Sequence, residues 1–206
     1  MDLLYIKIFK RFFDVVFSII LMPFFFILYI VVGIAIKLDD GGPIFYCGER
    51  LGRYGKLFKM YKFRSMKVNA PDIRNEDGST FNSDDDPRLT KMGKILRKTS
   101  IDEIPQILNV FKGDMSFIGP RPDLPGAMSK YSGDTRKKLN VRPGISGYNQ
   151  AYYRNSVETS EKLKNDVYYV DNISFIMDLK IFFKTIQSVL FRKNIYINEE
   201  FKKQKI

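Results

Sequence analysis

One long apolar segment constrains this chain more than any other feature of its sequence. Residues 15–36 include a single polar side chain, Ser18. At about 1.5 Å of rise per residue, a helix of this length covers a hydrocarbon layer about 30 Å thick. The segment is too long for a secretory signal, and no small-residue cleavage pattern follows it. It therefore predicts a membrane helix that stays in the mature chain.

The charges around this segment do not orient it. Basic residues flank it on both sides, with Lys7, Lys10 and Arg11 before it and Lys37 after it, so the positive-inside rule makes no choice. Pro23 lies near its middle, where a proline removes one helical hydrogen bond and favours a kink between arms of about 12 Å and 20 Å. We predict a re-entrant helix within residues 1–40 and a cytoplasmic, membrane-associated domain at 41–206.

Asp14 stands at the edge of the apolar segment. An unpaired carboxylate at this depth is costly, so we expect an ion pair with Arg11, three residues earlier on the helix. The alternative is an ordinary pair of snorkelling charges at a membrane edge. Together with Pro23, these two residues are predicted to position the membrane helix.

Composition narrows the chemistry of the remaining chain. Lys and Arg number 34 against 23 Asp and Glu, a formal charge of +11. This excess indicates a polyanionic partner: phosphates, nucleic acid or an anionic membrane. Cys47 is the only cysteine and there is no histidine. An intrachain disulfide and a Cys/His zinc site are excluded, so a metal would need oxygen ligands, and proton transfer would fall to carboxylates, lysine or tyrosine.

The segments after the membrane helix predict an α+β domain that is mostly helical. Residues 44–46 and 57–66, joined by a glycine-bearing connection, predict a short β-hairpin. An acidic stretch with two prolines at 69–88 predicts a long exposed loop. Helical spacing of apolar residues resumes at Leu89 and again at Ile104, and a last helix is predicted at 175–190.

The apolar stripe of the last helix has two interpretations. Its members are Phe175, Ile176, Leu179, Phe182, Phe183, Ile186, Val189 and Leu190. Such a stripe is ordinarily packed on a protein core. Ile181 and Phe191 fall outside it and the opposite face is basic, which instead favours an amphipathic helix lying in a membrane interface.

Basic and aromatic residues are interleaved in the predicted hairpin. They are Arg50, Arg53, Lys56, Lys59, Lys62, Arg64 and Lys67, with Tyr54, Phe58, Tyr61 and Phe63. This pattern can bind single-stranded nucleic acid, line a phosphate site beside a membrane, or form a solvated face. Because the run begins 14 residues after the membrane segment, lipid-linked phosphate is favoured over nucleic acid.

Asp102 and Glu103 form an adjacent carboxylate pair at a predicted helix start. A cap at Ser100 would place Pro105 at the fifth helical position, so a cap at or near Asp102 is preferred. Acidic residues in a first turn are ordinarily capping groups. Here, however, prolines flank Arg121 and follow Arg142 in nearby loops, which suggests guanidinium groups fixed for phosphate recognition rather than plain surface charges.

These motifs together resemble the bacterial sugar transferase family, the monotopic polyprenyl-phosphate phosphoglycosyl transferases that begin the assembly of bacterial glycans. The resemblance runs over residues 10–192. Its most specific stretch is 86–122, which contains Asp102-Glu103 and Gly119-Pro120-Arg121-Pro122. Shorter motifs lie on either side of it in the family's order, at 61–66, 141–147, 166–169 and 178–180.

The resemblance implies a ping-pong reaction in which Asp102 attacks the β-phosphate of a UDP-sugar. UMP leaves, and polyprenyl phosphate then takes the sugar phosphate from the aspartyl intermediate, at the cytoplasmic face of the bacterial inner membrane. Mg²⁺, or Mn²⁺ in its place, is implied at Asp102, with Glu103 as its catalytic partner. Phosphate or substrate contacts are implied for Lys62, Arg64, Arg97, Arg121, Arg142, Arg154 and Asn155.

Two segments depart from the family pattern. The membrane helix of the family usually breaks at Ser-Pro, whereas this chain has Met22-Pro23, so the break would rely on Pro23 alone or on Ser18. Residues 148–155 keep Arg154 and Asn155 but differ around them, which leaves the sugar open. A non-catalytic, membrane-anchored basic module that binds anionic lipid or nucleic acid is the alternative function.

Overall fold

The computed structural model describes residues 4–73, 81, 83, 85–153 and 157–190. Its helices are α1 (Lys10–Asp40), α2 (Lys91–Thr99), α3 (Gln106–Lys112), α4 (Tyr148–Tyr152), α5 (Thr159–Asp171) and α6 (Phe175–Leu190). Its strands are β1 (Phe45–Leu51), β2 (Leu57–Phe63), β3 (Ser116–Ile118) and β4 (Gly144–Ser146). The predicted α+β fold class is confirmed.

α1 is one helix of 31 residues that continues through Pro23. It is long and apolar enough to cross a membrane, judged by length and composition alone. One stripe of α1 is buried along its length, at Asp14, Ser18, Phe25, Val32, Gly33 and Ile36. The Ser18 hydroxyl donates to the Asp14 carbonyl at 2.7 Å, so it does not serve the carbonyl of Ile19 that Pro23 leaves without its N–H.

Both ends of α1 are tied to the same domain. At its start, Arg11 donates to the carbonyls of Val110 and Phe111 at 2.6 and 2.9 Å. At its end, the Asp39 carboxylate accepts the Met92 N–H at 2.8 Å. The end of α1 at Asp40 coincides with the predicted boundary, but the helix shares a hydrophobic core with residues beyond it.

The Asp14 carboxylate does not form the predicted ion pair with Arg11. Its Oδ1 accepts the Ser116 hydroxyl and the Phe117 N–H, both at 3.0 Å. Backbone and hydroxyl donors of β3 thus serve Oδ1 of this buried carboxylate, whereas its Oδ2 has no hydrogen-bond partner among the described residues. Arg11 is free to cap the last carbonyls of α3, where a helix favours a cation.

The predicted hairpin is confirmed as β1 and β2. They pair antiparallel from Phe45 opposite Phe63 to Leu51 opposite Leu57. Buried Asn109 of α3 holds the outer edge of β2, because its amide accepts the Tyr61 N–H at 2.9 Å and donates to the Lys59 carbonyl at 2.8 Å. This contact brings α3, and the turn before it, beside Lys62.

The helix predicted to begin near Asp102 begins later. α2 ends at Thr99, Ser100 takes a left-handed conformation with φ 60°, and Ile101–Glu103 form a 3-10 turn. α3 then starts at Gln106 with Pro105 as its N-cap. The carboxylate pair therefore lies on the turn before the helix and not in its first turn.

A second, parallel pair joins β3 to β4, and α4, α5 and α6 pack beside it. The interpretation of α6 as a core-packed stripe is wrong. Ile176, Phe182 and Phe183 are 63, 49 and 60 % exposed, whereas Ile181, outside the stripe, is fully buried. The buried side of α6 instead carries Asp178, whose carboxylate accepts from Tyr169 at 2.7 Å. The apolar stripe therefore faces outward, as in an interfacial helix.

The acidic stretch at 69–88 is not exposed throughout. Asp86 and Arg88 are buried and form an ion pair at 2.6 Å. The Arg88 guanidinium also donates to the carbonyls of Pro71, Ile73 and Phe81. Through these hydrogen bonds, buried Arg88 holds both the first and the last part of the stretch on the domain.

Candidate active site

Asp102 is a buried carboxylate without a hydrogen-bond donor among the described residues. It lies on the 3-10 turn between α2 and α3, and 7 % of the residue is exposed. Carboxylates this buried are normally hydrogen-bonded or paired. An unbonded one, open on a small part of its surface, retains lone pairs that can attack an electrophile.

Glu103, the next residue, has the opposite environment. Its Oε1 accepts from Lys62 Nζ and from Arg121 Nη2, each at 2.7 Å. Lys62 comes from β2, and Arg121 comes from the Gly-Pro-Arg-Pro loop after β3. Glu103 therefore holds together two cations that arrive from different parts of the chain.

The two carboxyl groups titrate in opposite directions. Burial raises the pKa of Asp102 above its ordinary value, the nearby Lys62 opposes the rise, and the Glu103 charge adds to it. Burial would also raise the pKa of Glu103, but Arg121 and Lys62 outweigh it and hold that pKa far below the usual range. Such a split is typical of carboxylate pairs with different roles.

Arg97 completes the cationic surroundings of Asp102. It lies in the last turn of α2, where its Nε donates to the Ser65 hydroxyl at 3.1 Å. Its charge lowers the pKa of Asp102, as do those of Lys62 and Arg121. The structure thus brings together five of the predicted site residues: Lys62, Arg97, Asp102, Glu103 and Arg121.

Two other predicted contacts lie elsewhere. The buried Arg64 guanidinium pairs with Asp40 and donates to the carbonyls of Pro43 and Met66, which ties the end of α1 to the end of β2. Arg142 donates from Nε to the Gly113 carbonyl at 3.0 Å, at the far end of α3 from Asp102. Arg154 and Asn155 lie outside the described residues.

A buried network behind the Arg121 loop was not identified from the sequence. Lys138, of which 6 % is exposed, pairs with Asp123 at 2.6 Å and with Asp166 at 2.8 Å. Asp123 also accepts from Tyr131, and its carbonyl accepts the Leu51 N–H. Asp166 stood in a recognised motif, but nothing in the sequence paired it with Lys138.

The oxygen ligands at Asp102 fit a magnesium ion that is completed by substrate. The described residues hold no cluster of three or more Asp, Glu, Cys or His that could form a metal cage. Glu103 already accepts hydrogen bonds from two cations, so the Asp102 carboxylate is the one available as a metal ligand. Mg²⁺ commonly binds through one or two carboxylates, substrate phosphates and water.

Comparisons with known proteins identify the family of the chain. The family model for bacterial sugar transferases matches residues 5–192. An uncharacterized sugar transferase of Bacillus subtilis, EpsL, is 40% identical over 188 residues, covering 91% of this chain and 90% of that protein. The undecaprenyl-phosphate galactose phosphotransferase of Salmonella typhimurium is 39% identical over 198 residues, covering 91% of this chain.

The relatives differ in length. This chain spans 41% of the Salmonella protein and 35% of the galactosyl transferase CpsE of Streptococcus agalactiae, to which it is 43% identical over 159 residues. The family match over residues 5–192 spans the apolar helix and the segments that carry the carboxylate pair and the cations around it. The chain belongs to the bacterial sugar transferase family.

Proposed function

We propose that this protein is a phosphoglycosyl transferase that moves a sugar 1-phosphate from a UDP-sugar to undecaprenyl phosphate. The observation that carries the proposal is the unbonded, buried Asp102 carboxylate with Lys62, Arg97 and Arg121 around it. The names of relatives agree, since the Salmonella protein and one from Aeromonas hydrophila are both undecaprenyl-phosphate sugar phosphotransferases.

In the first half-reaction, an Asp102 oxygen attacks the β-phosphorus of the UDP-sugar. A bond forms between that oxygen and phosphorus, and the bond from phosphorus to the bridging oxygen breaks. UMP leaves with the bridging oxygen and its electron pair, and the sugar phosphate remains on Asp102 as an acyl phosphate. A raised pKa makes the Asp102 carboxylate more basic, which favours its role as a nucleophile.

In the second half-reaction, a phosphate oxygen of undecaprenyl phosphate attacks the same phosphorus. The bond to Asp102 breaks, the carboxylate is restored, and the product is undecaprenyl diphosphate sugar. Lys62 and Arg121 stabilise charge on the transferred group while Glu103 fixes their positions. Arg97 offers a further cation from α2. Arg154 and Asn155 remain predicted substrate contacts.

Asp102 would hold Mg²⁺ together with the substrate phosphates. When bound, the ion supplies neutralisation of phosphate charge at the transferred group. Mn²⁺ prefers the same oxygen ligands and would serve in its place. The protein's own part is to keep Glu103 engaged with Lys62 and Arg121, so that only one of the two carboxylates is available.

We place the reaction at the cytoplasmic face of the bacterial inner membrane. UDP-sugars are cytoplasmic, and the apolar surface of α1 together with the outward stripe of α6 suits a site held at the level of the lipid head groups. In this proposal α1 is re-entrant.

Substitution of Asp102 by Asn tests the nucleophile. We expect Asp102→Asn to abolish UMP release and to prevent a phosphosugar adduct, seen by mass spectrometry of protein incubated with UDP-sugar alone, because an amide is a poor nucleophile. Asp171→Asn, at a half-exposed carboxylate on α5, is the matched control. Substantial UMP release by Asp102→Asn would remove Asp102 from the mechanism.

Metal removal and a panel of UDP-sugars test the rest of the proposal. EDTA should stop UMP release, and Mg²⁺ or Mn²⁺ should restore it, since the site offers oxygen ligands alone. The alternative function, a non-catalytic basic module that binds anionic lipid or nucleic acid, predicts no UMP release with any UDP-sugar in the presence of undecaprenyl phosphate. Release from one sugar of the panel rejects that alternative.

A further inference from the structure

Two guanidinium groups contact the end of α3 that lies away from Asp102, and the charge of a third, Arg53, acts on one of them. Arg11 donates to Val110 and Phe111, and its Nη2 would lie 3.3 Å from a Cβ placed on Gly113. Arg142 donates to the Gly113 carbonyl at 3.0 Å. Arg11 and Arg142 therefore flank the same glycine, from opposite parts of the chain.

Arg53 approaches from the tip of the hairpin. Its Nε donates to the Asn140 carbonyl at 3.0 Å, two residues before Arg142. Its guanidinium lies 4.6 Å from the ring centre of Tyr54, which is 64 % exposed and holds a left-handed conformation with φ 59°. A tyrosine is unusual in this conformation, and here it presents its ring beside the cations.

This cluster of Arg11, Arg53 and Arg142 is not neutralised by the described chain. Burial, then the charges of Arg11 and Arg53, lower the pKa of Arg142, and Asp14 is the carboxylate that opposes them. The Asp14 Oδ1 is already used by Ser116 and Phe117. Three cations thus face one buried carboxylate, so the cluster keeps a net positive charge.

The Arg142 guanidinium also has hydrogen-bond donors that the described residues do not use. Within the ranges that the structure describes, its Nε makes one bond and its two terminal nitrogens make none. The terminal nitrogens of a guanidinium form a planar fork that suits two oxygens of a phosphate group. The fork is therefore available to an anion from outside the chain.

The surroundings of the cluster favour a lipid as the source of that anion. Arg11 lies four residues before the apolar segment that begins at Val15. Phe12 and Phe111, next to Arg11 in sequence or in contact with it, are 59 and 45 % exposed. A phosphate bound at the cluster would thus have apolar surface beside it for acyl chains.

We propose that Arg11, Arg53 and Arg142 bind the phosphate of an anionic phospholipid at a site separate from Asp102. Arg142 contributes its free fork, Arg11 and Arg53 contribute charge, and Tyr54 lies at the head-group level. The site anchors the start of α1 and the tip of the hairpin to the same lipid, and it does not depend on the transfer reaction.

Thermal unfolding of the detergent-purified protein tests this site. Micelles are titrated with short-chain phosphatidylglycerol, with phosphatidylcholine of the same acyl chains, with inorganic phosphate and with undecaprenyl phosphate. We expect saturable stabilisation by phosphatidylglycerol at concentrations where phosphatidylcholine and inorganic phosphate have no effect. Arg142→Gln should weaken the apparent affinity at least roughly tenfold, the loss of one charge-assisted contact. Undecaprenyl phosphate, the proposed substrate, should act at the Asp102 site, so Arg142→Gln should leave any stabilisation by it unchanged.

The controls separate binding from folding. Lys94→Gln makes the same change of charge on exposed α2, away from the cluster, and should respond as the parent does. If Arg142→Gln melts lower than the parent without lipid, Arg53→Gln, on the hairpin tip, takes its place. Equal stabilisation by inorganic phosphate, a response to undecaprenyl phosphate that the arginine substitution removes, or an unchanged phosphatidylglycerol response in both arginine variants would each overturn the proposal.

Discussion

At the scale of single residues, the two adjacent carboxylates Asp102 and Glu103 have different hydrogen-bond partners. Glu103 takes the hydrogen bonds of Lys62 and Arg121, and Asp102 is left without a donor among the described residues. Neighbours in sequence therefore differ in basicity because of what each side chain meets. The availability of Asp102 depends on Glu103 retaining its charge.

Neutralising Glu103 should move the pH dependence of the first half-reaction. Asp102 must be deprotonated to attack, so UMP release should fall as pH falls through its raised pKa. Glu103→Gln removes a negative neighbour and frees two cations, so the pKa of Asp102 should fall and the acid limb should move to lower pH. The maximal rate should fall as well, because Lys62 and Arg121 lose their anchor.

The measurement is the rate of UMP release without undecaprenyl phosphate, from about pH 4 to pH 8. Glu103→Asp, which keeps the charge, should leave the acid limb closer to that of the parent. An acid limb that stays in place or moves to higher pH in Glu103→Gln would contradict the proposed division of roles.

Lys138 should be essential for stability, in contrast to its neighbour in sequence. Lys138→Met removes the shared partner of Asp123 and of buried Asp166, and we expect a loss of roughly 3–5 kcal/mol in the free energy of unfolding. Lys137→Met removes only pairs at an exposed surface and should leave the melting temperature nearly unchanged. Equal melting temperatures for the two variants would contradict this expectation.

The sequence predicts the residue types of the site better than their directions. Asp102, Glu103 and Arg121 are found together as expected. Their motifs lie close in the chain, and Arg121 donates to Glu103 on the turn that also carries Asp102. Arg64 and Arg142 stand in equally recognisable motifs, yet their side chains bind Asp40 and Gly113. Packing determines the direction in which a side chain points, and a sequence motif does not predict that direction.

At the scale of elements, the close approach of α2 to the strand end positions Arg97. A Cβ added to Gly93 would lie 1.9 Å from the Ser65 carbonyl oxygen, so only glycine allows this contact. Ser65 in turn accepts from Arg97 through its hydroxyl and from the Thr90 N–H through its carbonyl. The absence of a Cβ at Gly93 thus sets the distance between α2 and the site.

Gly93→Ala should disturb both stability and activity. The clash is with backbone, which cannot rotate away, so we expect a loss of about 1–3 kcal/mol and a lower rate of UMP release. Gly126→Ala is the matched control, because no atom lies within 4 Å of the added Cβ. Both variants are compared by thermal unfolding and by UMP release, and equal behaviour would contradict the role of Gly93.

Element boundaries show where sequence reasoning fails. The hairpin and the presence of α2, α3 and α6 follow from apolar spacing, and all are found. The start of α3 and the orientation of α6 do not follow from it. A periodic stripe states which residues share a face. The outward orientation of α6 follows instead from buried Asp178, two of whose partners, Tyr5 and Lys10, lie far away in sequence.

At the scale of the whole molecule, α1 is bonded at both ends to one domain. Arg11 binds the end of α3, and Asp39 binds the start of α2. A helix of 31 residues that crossed a bilayer would carry these two contacts to opposite faces. One small basic domain cannot occupy both faces, so the predicted re-entrant course is the simpler arrangement.

Cysteine labelling distinguishes the two courses. In a Cys47→Ser background, which removes the single exposed thiol, Leu4→Cys and Leu38→Cys place thiols at positions 58 and 82 % exposed. We expect both to react only with reagent applied from the cytoplasmic side of oriented membrane vesicles. Reaction of Leu4→Cys from the periplasmic side would show that α1 crosses the membrane.

The hydrogen bonds from Arg88 to both ends of the acidic stretch indicate where a reporter sequence can be inserted. One guanidinium donates to the carbonyls of Ile73 and Phe81, so both residues are held on the domain by contacts of their own. Doubling a loop's length costs only about 0.6 kcal/mol in closure entropy. A peptide tag or fluorescent reporter inserted between Ile73 and Phe81 would therefore report on the enzyme in a living membrane while leaving Asp102 undisturbed.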